Sequence, residues 1–113
     1  MYYVLKKMEI AACHRLTLDY ESKCKNLHGH NWHVTVYCKS EELNANGMVC
    51  DFKHIKEQIH GYLDHGYLNE LLRFNPTAEN IAKWITEQIP NCYRADVIES
   101  DGNVAIYTTE ETL

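Results

Sequence analysis

Positive charge is what this sequence is shortest of. Eleven lysines and arginines stand against sixteen aspartates and glutamates in 113 residues, a formal net charge of −5 with histidine neutral. That balance argues against nucleic-acid binding driven by bulk phosphate attraction, so an anionic ligand must be met by a local group of cations. Long apolar runs and a leader-like opening segment are also missing, and no membrane role is expected. The five cysteines are odd in number and lack Cys-x-x-Cys spacing, which together point to a reducing, cytoplasmic setting. Repeats and low-complexity segments are absent too. What remains is a single domain, 1–113, with 45% hydrophobic residues and enough apolar surface for one modest core.

Alternation is the strongest pattern in the first third of the chain. From Tyr2 to Leu16 the even positions form a largely apolar face that ends in His14. From His30 to Lys39 a second strand carries Trp32, Val34, Val36 and Cys38 on the His30 face and turns His33 away. Between them, Arg15 to Asn26 reads as a mobile polar loop carrying Cys24. Asn46-Gly47 marks a turn, and Asp51 then caps a helix whose Phe52, Ile55, Ile59 and Leu63 recur at spacings of three or four, a core stripe. Asn75-Pro76-Thr77 opens a second helix, with either Asn75 or Thr77 as its cap, and Pro90 closes it. Asp101-Gly102 suits the type I′ turn of a final hairpin. The order is ββααββ, which predicts an α+β domain with a four-stranded antiparallel sheet and two helices on one face.

The chemistry concentrates in Cys24-Lys25-Asn26-Leu27-His28-Gly29-His30. On a strand His28 and His30 leave the same face, about 6 to 7 Å apart at the backbone. Buried histidines with hydrogen-bond partners are commoner than metal ligands. With His14 as a third imidazole, however, the set would suit zinc and leave a fourth position open, as in catalytic sites. Cys24 lies between Lys23 and Lys25, cations that lower a thiol's pKa, so it reads as a proton carrier rather than apolar filler. Cys13, Cys38, Cys50 and Cys92 fall in or beside apolar segments and read as structural. Asp64-His65 is either a carboxylate tuning a proton-carrying imidazole or an ordinary helix end. Glu99 is either a solvated strand-end residue or a pocket carboxylate accepting two parallel N–H bonds from an amino-heterocycle. The first 25 residues hold Lys6, Lys7, Arg15, Lys23 and Lys25 against Glu9, Asp19 and Glu21, the basic end of an acidic chain.

These motifs together resemble the 6-pyruvoyl-tetrahydropterin and 6-carboxy-tetrahydropterin synthase family, from about Val4 to Tyr107. Ala12-Cys13-His14-Arg15-Leu16 looks like the family's first ligand strand, and Cys24 to His30 looks like its Cys-x-x-x-His-Gly-His signature. Gly47 to Phe52, Leu63 to Asn69, Asn75 to Asn80 and Val97-Ile98-Glu99 match further blocks in order. The resemblance implies a tunnelling fold (T-fold), in which several subunits close a barrel with active sites between them. It implies Zn²⁺ on His14, His28 and His30, Cys24 as the catalytic thiol, and Asp64 and His65 as its proton-transfer partners. Glu99 would anchor the pterin, with Thr77 at the pterin edge. Lys23 and Lys25 would meet the triphosphate of the substrate. The three-residue spacer between Cys24 and His28 is similar to that of the bacterial 6-carboxy-tetrahydropterin synthases of queuosine biosynthesis. The alternatives are 6-pyruvoyl-tetrahydropterin synthase and a non-catalytic pterin- or zinc-binding relative. A homo-oligomer, trimer-based and hexameric, is expected.

Overall fold

The computed structural model describes residues 1–113. Two long strands, β1 (Tyr2–His14) and β2 (His28–Ser40), pair antiparallel in unbroken register from Tyr2↔Ser40 to His14↔His28. A single-turn 3₁₀ helix, Lys23–Lys25, lies in their connection. After β2 come α1 (Phe52–Ile55), a π-helical turn (Lys56–His60), α2 (Gly61–Leu63), β3 (Gly66–Tyr67) and α3 (Leu68–Leu71). Helix α4 (Ala78–Gln88) and the hairpin β4 (Cys92–Ser100) and β5 (Asn103–Thr108) complete the chain. The sheet order is β3-β1-β2-β4-β5.

The α+β class agrees with the alternation and helix periodicities, and two details differ. The sheet has a fifth strand, β3, which pairs parallel to β1 through Ala12↔Gly66 and Cys13↔Tyr67. Two residues carry no alternation, so only the close approach of the chain to the β1 edge makes this strand. Gly66 is required there, since a Cβ would stand 2.4 Å from Leu71 Cδ1 and 2.8 Å from the Leu63 carbonyl oxygen. The first helix is also not one regular stripe. Its middle widens into a π turn, which suits Ile55, Ile59 and Leu63 at spacings of four and leaves Phe52, three residues before Ile55, largely exposed.

One sheet face is covered by the helices. The even residues of β1 and β2, among them Ile10, Trp32, Val34, Val36 and Cys38, are buried against Ile55, Ile59, Leu63, Ile81 and Ile85. Each fully buried aliphatic side chain contributes about 1.5–3 kcal/mol of transfer free energy. Thr77 caps α4, its Oγ1 accepting from Asn80 N at 3.2 Å, which decides between the two candidates. Asn75 turns instead to Thr17, donating to its carbonyl and accepting from its amide. The β4–β5 turn places only Gly102 in the left-handed region (φ 81°), so it is not the expected type I′ turn, which needs both central residues there. The register also slips between Ile98 and Ser100, leaving Glu99 as an extra residue. No helix is long and apolar enough to cross a membrane.

Candidate metal centre

His14 and His28 are direct cross-strand partners and His30 pairs with Ala12, so all three imidazoles leave the covered face at one end of the β1–β2 ladder. Their ring centroids are 4.6, 5.2 and 4.9 Å apart, and one ring nitrogen from each lies within 4.8 Å of the others. Trp32 floors the group, edge-on to His14 at 4.9 Å and His30 at 5.1 Å, with its Nε1–H donated to the Ala12 carbonyl. Burial of His14 comes from the loop before α4.

Hydrogen bonding sorts the ring nitrogens. His14 Nδ1 lies 2.8 Å from the Pro76 carbonyl and His28 Nδ1 2.7 Å from the Asn26 carbonyl. Since a carbonyl only accepts, both Nδ1 atoms carry the proton and both Nε2 atoms keep a free lone pair, the tautomer that an outer-shell carbonyl enforces on a metal ligand. His14 Nε2 and His30 Nε2 are buried with no hydrogen-bond partner. Burial is the largest influence on both rings and lowers their pKa; the Pro76 carbonyl opposes it at His14 and Glu99 at both, while His28 adds to the lowering. Three imidazoles with converging ring nitrogens, two of them buried and unpartnered, fit Zn²⁺, which bonds histidine nitrogen at about 2.0–2.1 Å and takes three protein ligands in catalytic sites.

Glu99 borders this centre. Val34↔Val97 fixes the register, and two residues on from Val97 the parity brings Glu99 to the same face as Trp32 and His30. Its Oε1 is 3.6 Å from His30 Nε2, too long for a hydrogen bond, and the side chain is only 26% exposed. Glu99 is thus partly buried beside the metal group. Cys24 sits in the 3₁₀ turn, where the Ser22 hydroxyl accepts from its amide at 3.1 Å and its carbonyl accepts from Leu16 N at 2.8 Å. The loop expected to be mobile is strapped near its start as well: Asn69 bonds both the amide and the carbonyl of Arg15, as Asn75 does for Thr17.

Asp64 and His65 form a second group at the β1 edge, where the chain enters β3. The Ala11 amide donates to Asp64 Oδ1 at 2.9 Å, and His65 N donates to the Ala11 carbonyl. Asp64 Oδ2 lies 3.6 Å from His65 Nε2 and 3.7 Å from His60 Nε2. The Ala11 N–H, followed by the two imidazoles, holds the Asp64 carboxyl below its ordinary range. His65 has a positive φ of 58°, and its exposed ring lines a cleft of about 430 Å³ with Ala11, Cys13 and Asn31 and with His30 of the metal group.

The family described as 6-pyruvoyl tetrahydropterin synthase matches residues 3–110. The chain belongs to that family. A 6-carboxy-5,6,7,8-tetrahydropterin synthase of Synechocystis is 34% identical over 95% of this chain and 93% of its own length. A dihydroneopterin monophosphate aldolase of Pyrococcus furiosus is 33% identical over 83% of this chain and 80% of its own. Among solved structures, 6-pyruvoyl tetrahydropterin synthase of Caenorhabditis elegans superposes with a TM-score of 0.75, covering 96% of each chain at 24% identity, a likeness of fold.

Within this family member the basic residues of the first 25 positions do not form one patch. Lys7 lies seven residues before His14 along β1, roughly 23 Å at strand spacing, so only Arg15, Lys23 and Lys25 belong to the metal end. Lys25 there pairs with Glu21 at 3.6 Å. Thr77, expected at the pterin edge, has its hydroxyl oxygen engaged as the α4 cap. His60 was not singled out from the sequence. Its signal was the i to i+4 spacing to Asp64 on a helix, which places both on one face.

Proposed function

We propose that the protein is a zinc-dependent lyase converting 7,8-dihydroneopterin triphosphate to 6-carboxy-5,6,7,8-tetrahydropterin, with release of acetaldehyde and triphosphate. The observation that carries this reading is the set of three imidazoles with converging ring nitrogens, His14 Nε2 and His30 Nε2 among them buried without a partner, beside the Glu99 carboxylate. The similarity to the Synechocystis synthase supports the choice of product.

Zinc on His14, His28 and His30 would supply a Lewis acid for the side-chain hydroxyls of the substrate. Glu99 is placed to accept paired N–H bonds from the pterin's amino-pyrimidine edge, which orients the side chain toward the histidines. Cys24 would exchange protons at its sulfur, and Lys23 and Lys25 would meet phosphate. Asp64, held anionic chiefly by the Ala11 amide, lies 3.6 Å from His65 Nε2, and the pair would move a proton at that nitrogen. We take the working site to form between copies. The sheet has two edges, β3 and β5, and a trimer-based homo-oligomer, hexameric as a pair of rings, closes such sheets into a barrel.

Incubating zinc-loaded protein with the triphosphate substrate tests the reading: the expected products are triphosphate and the carboxy-pterin, identified by mass. A pyruvoyl product would move the assignment to the sister activity. Absence of triphosphate release would remove both. The similarity to the Pyrococcus aldolase favours a second reading, aldol cleavage of a phosphorylated dihydroneopterin side chain, and that reaction would leave the phosphate ester intact.

A further inference from the structure

The helix-covered face of β2 carries a second cluster of chemically reactive side chains at the end away from the histidines. Cys38 lies ten residues beyond His28, roughly 33 Å along the strand. It faces Cys92, the first residue of β4, as its direct cross-strand partner. The register shifts just before this pair, between Tyr37 and Cys38, and just after it Lys39 N donates to the Asn91 carbonyl at 3.0 Å. Cross-strand partners have Cα atoms about 4.5–5.5 Å apart, within the Cα range that a disulfide spans. Cys50 packs against the same buried cluster, and its segment is held to the start of β4 by Asn91 Nδ2 donating to the Val49 carbonyl at 3.0 Å.

Cys38 is fully buried, while Cys50 and Cys92 are partly exposed. The three thiols do not serve the metal centre, and all are free. Hydrogen bonding within the cluster makes them unequal. The Cys38 thiol, against Cys92 first and also desolvated, is pushed far up. Cys92, chiefly through its interaction with Cys38, is drawn down to about 7. A thiolate at the more accessible of two facing sulfurs is the nucleophile that peroxide oxidation needs.

We propose that Cys38 and Cys92 form a reversible disulfide on exposure to hydrogen peroxide, making this end of the sheet a thiol-oxidation site. The Cys92 thiolate attacks one peroxide oxygen, the O–O bond breaks, and the departing hydroxide takes a proton and leaves as water. Cys92 is then a sulfenic acid. The Cys38 sulfur gives up its proton and attacks the Cys92 sulfur. An S–S bond forms, the S–O bond breaks, and the second oxygen leaves as water with that proton. Two thiols are oxidised and one peroxide is reduced to two waters. A small-molecule thiol reverses the step by exchange.

The test treats zinc-loaded protein with one equivalent of hydrogen peroxide, alkylates the remaining thiols after unfolding, and maps the peptides by mass spectrometry. Expected are an intact mass lower by about 2 Da before alkylation, a Cys38–Cys92 linked peptide, alkylated Cys13, Cys24 and Cys50, and full reversal by dithiothreitol. Cys50→Ser should retain the link, and Cys92→Ser should lose it. A link through any other pair would overturn the proposal, as would stable oxygen adducts on Cys92 without a disulfide, or an unchanged thiol count. Should Cys92→Ser fail to fold, the wild-type peptide map decides alone.

Discussion

The two ends of β2 bury metal-loving side chains on the same sheet face and leave them in opposite states. At the His28 end, His14 Nε2 and His30 Nε2 have no partner, while their neighbours Pro76 and Asn26 occupy the Nδ1 atoms of His14 and His28. At the Cys38 end the thiols are packed as core: Cys38 is buried with Cys50 and Cys92 against the same cluster, and Cys92 Sγ donates to the Arg94 carbonyl at 3.4 Å. A buried polar atom without a partner costs about 1–3 kcal/mol, whereas free cysteine behaves as a small apolar residue that a core accepts without a ligand. Ligand type and burial alone therefore do not mark a metal site. Uncompensated lone pairs that converge do.

Removing one imidazole tests that contrast most severely. His28→Ala leaves two donors, so zinc affinity should fall by more than the roughly 10–100-fold that loss of an outer-shell partner costs, and turnover should go with it. Cys38→Ser and Cys24→Ala should both retain zinc, the first because its thiol lies at the wrong end and the second because sulfur is not in the ligand set. Elemental analysis after gel filtration reads the result. Zinc content equal to wild type in His28→Ala would exclude His28 as a ligand.

Charge sharpens the same comparison at the histidine end. Reversing Lys23 and Lys25 to glutamate changes the local charge beside Cys24 by four and should raise the Michaelis constant for a triphosphate substrate about tenfold or more at low ionic strength, with zinc content unchanged. Lys7→Glu, roughly 23 Å up the strand from His14, should have little effect within the same chain's site. An equal response to both substitutions would mean that a neighbouring copy brings Lys7 to the phosphate.

Proton uptake separates the two ends by titration. His14 and His30 have pKa values lowered from 6.5 in the folded chain, mainly by burial. Below 6.5 the unfolded chain binds protons that the folded chain refuses. The stability associated with these rings is therefore complete above 6.5 and is lost as pH falls toward the lowered values. Asp64, lowered from 3.8 chiefly by the Ala11 amide, adds a second loss at more acidic pH. Chelator-stripped protein should show a lower urea midpoint at about pH 5.5 than at about pH 7.5. Equal midpoints would mean that the two rings are solvated.

Strand parity made the histidine end legible: two alternating runs ending in His14 and beginning near His28 place three rings on one face whatever the loop between them does. The same parity carried from Val97 identifies Glu99 as facing them, once the β2–β4 register is known. That register is long-range and left no local mark. Neither did β3, two residues made into a strand by the passage of Gly66 against β1, nor the pairing of Cys38 with Cys92. The π turn is hidden for a different reason, because a spacing of four reads as an ordinary helix. Asp64 is legible as a candidate, and so is its partner His60, four residues earlier on the expected helix through Leu63.

The smallest effect expected is at Thr77, and it probes how the metal end is held together. Thr77 Oγ1 accepts from Asn80 N, and the neighbouring Pro76 carbonyl fixes the His14 tautomer. Thr77→Ala should cost about 1 kcal/mol of stability, the usual worth of a helix N-cap. If the cap also positions Pro76, zinc affinity should fall by up to about tenfold, the low end of outer-shell effects, while the urea midpoint of the Cys38 end follows the global loss and nothing more. Thr77→Ser keeps an oxygen acceptor at the same place and should restore both quantities. Restored stability with zinc affinity still reduced would instead mean that the Thr77 methyl, not its hydroxyl, holds the Pro76 carbonyl against His14.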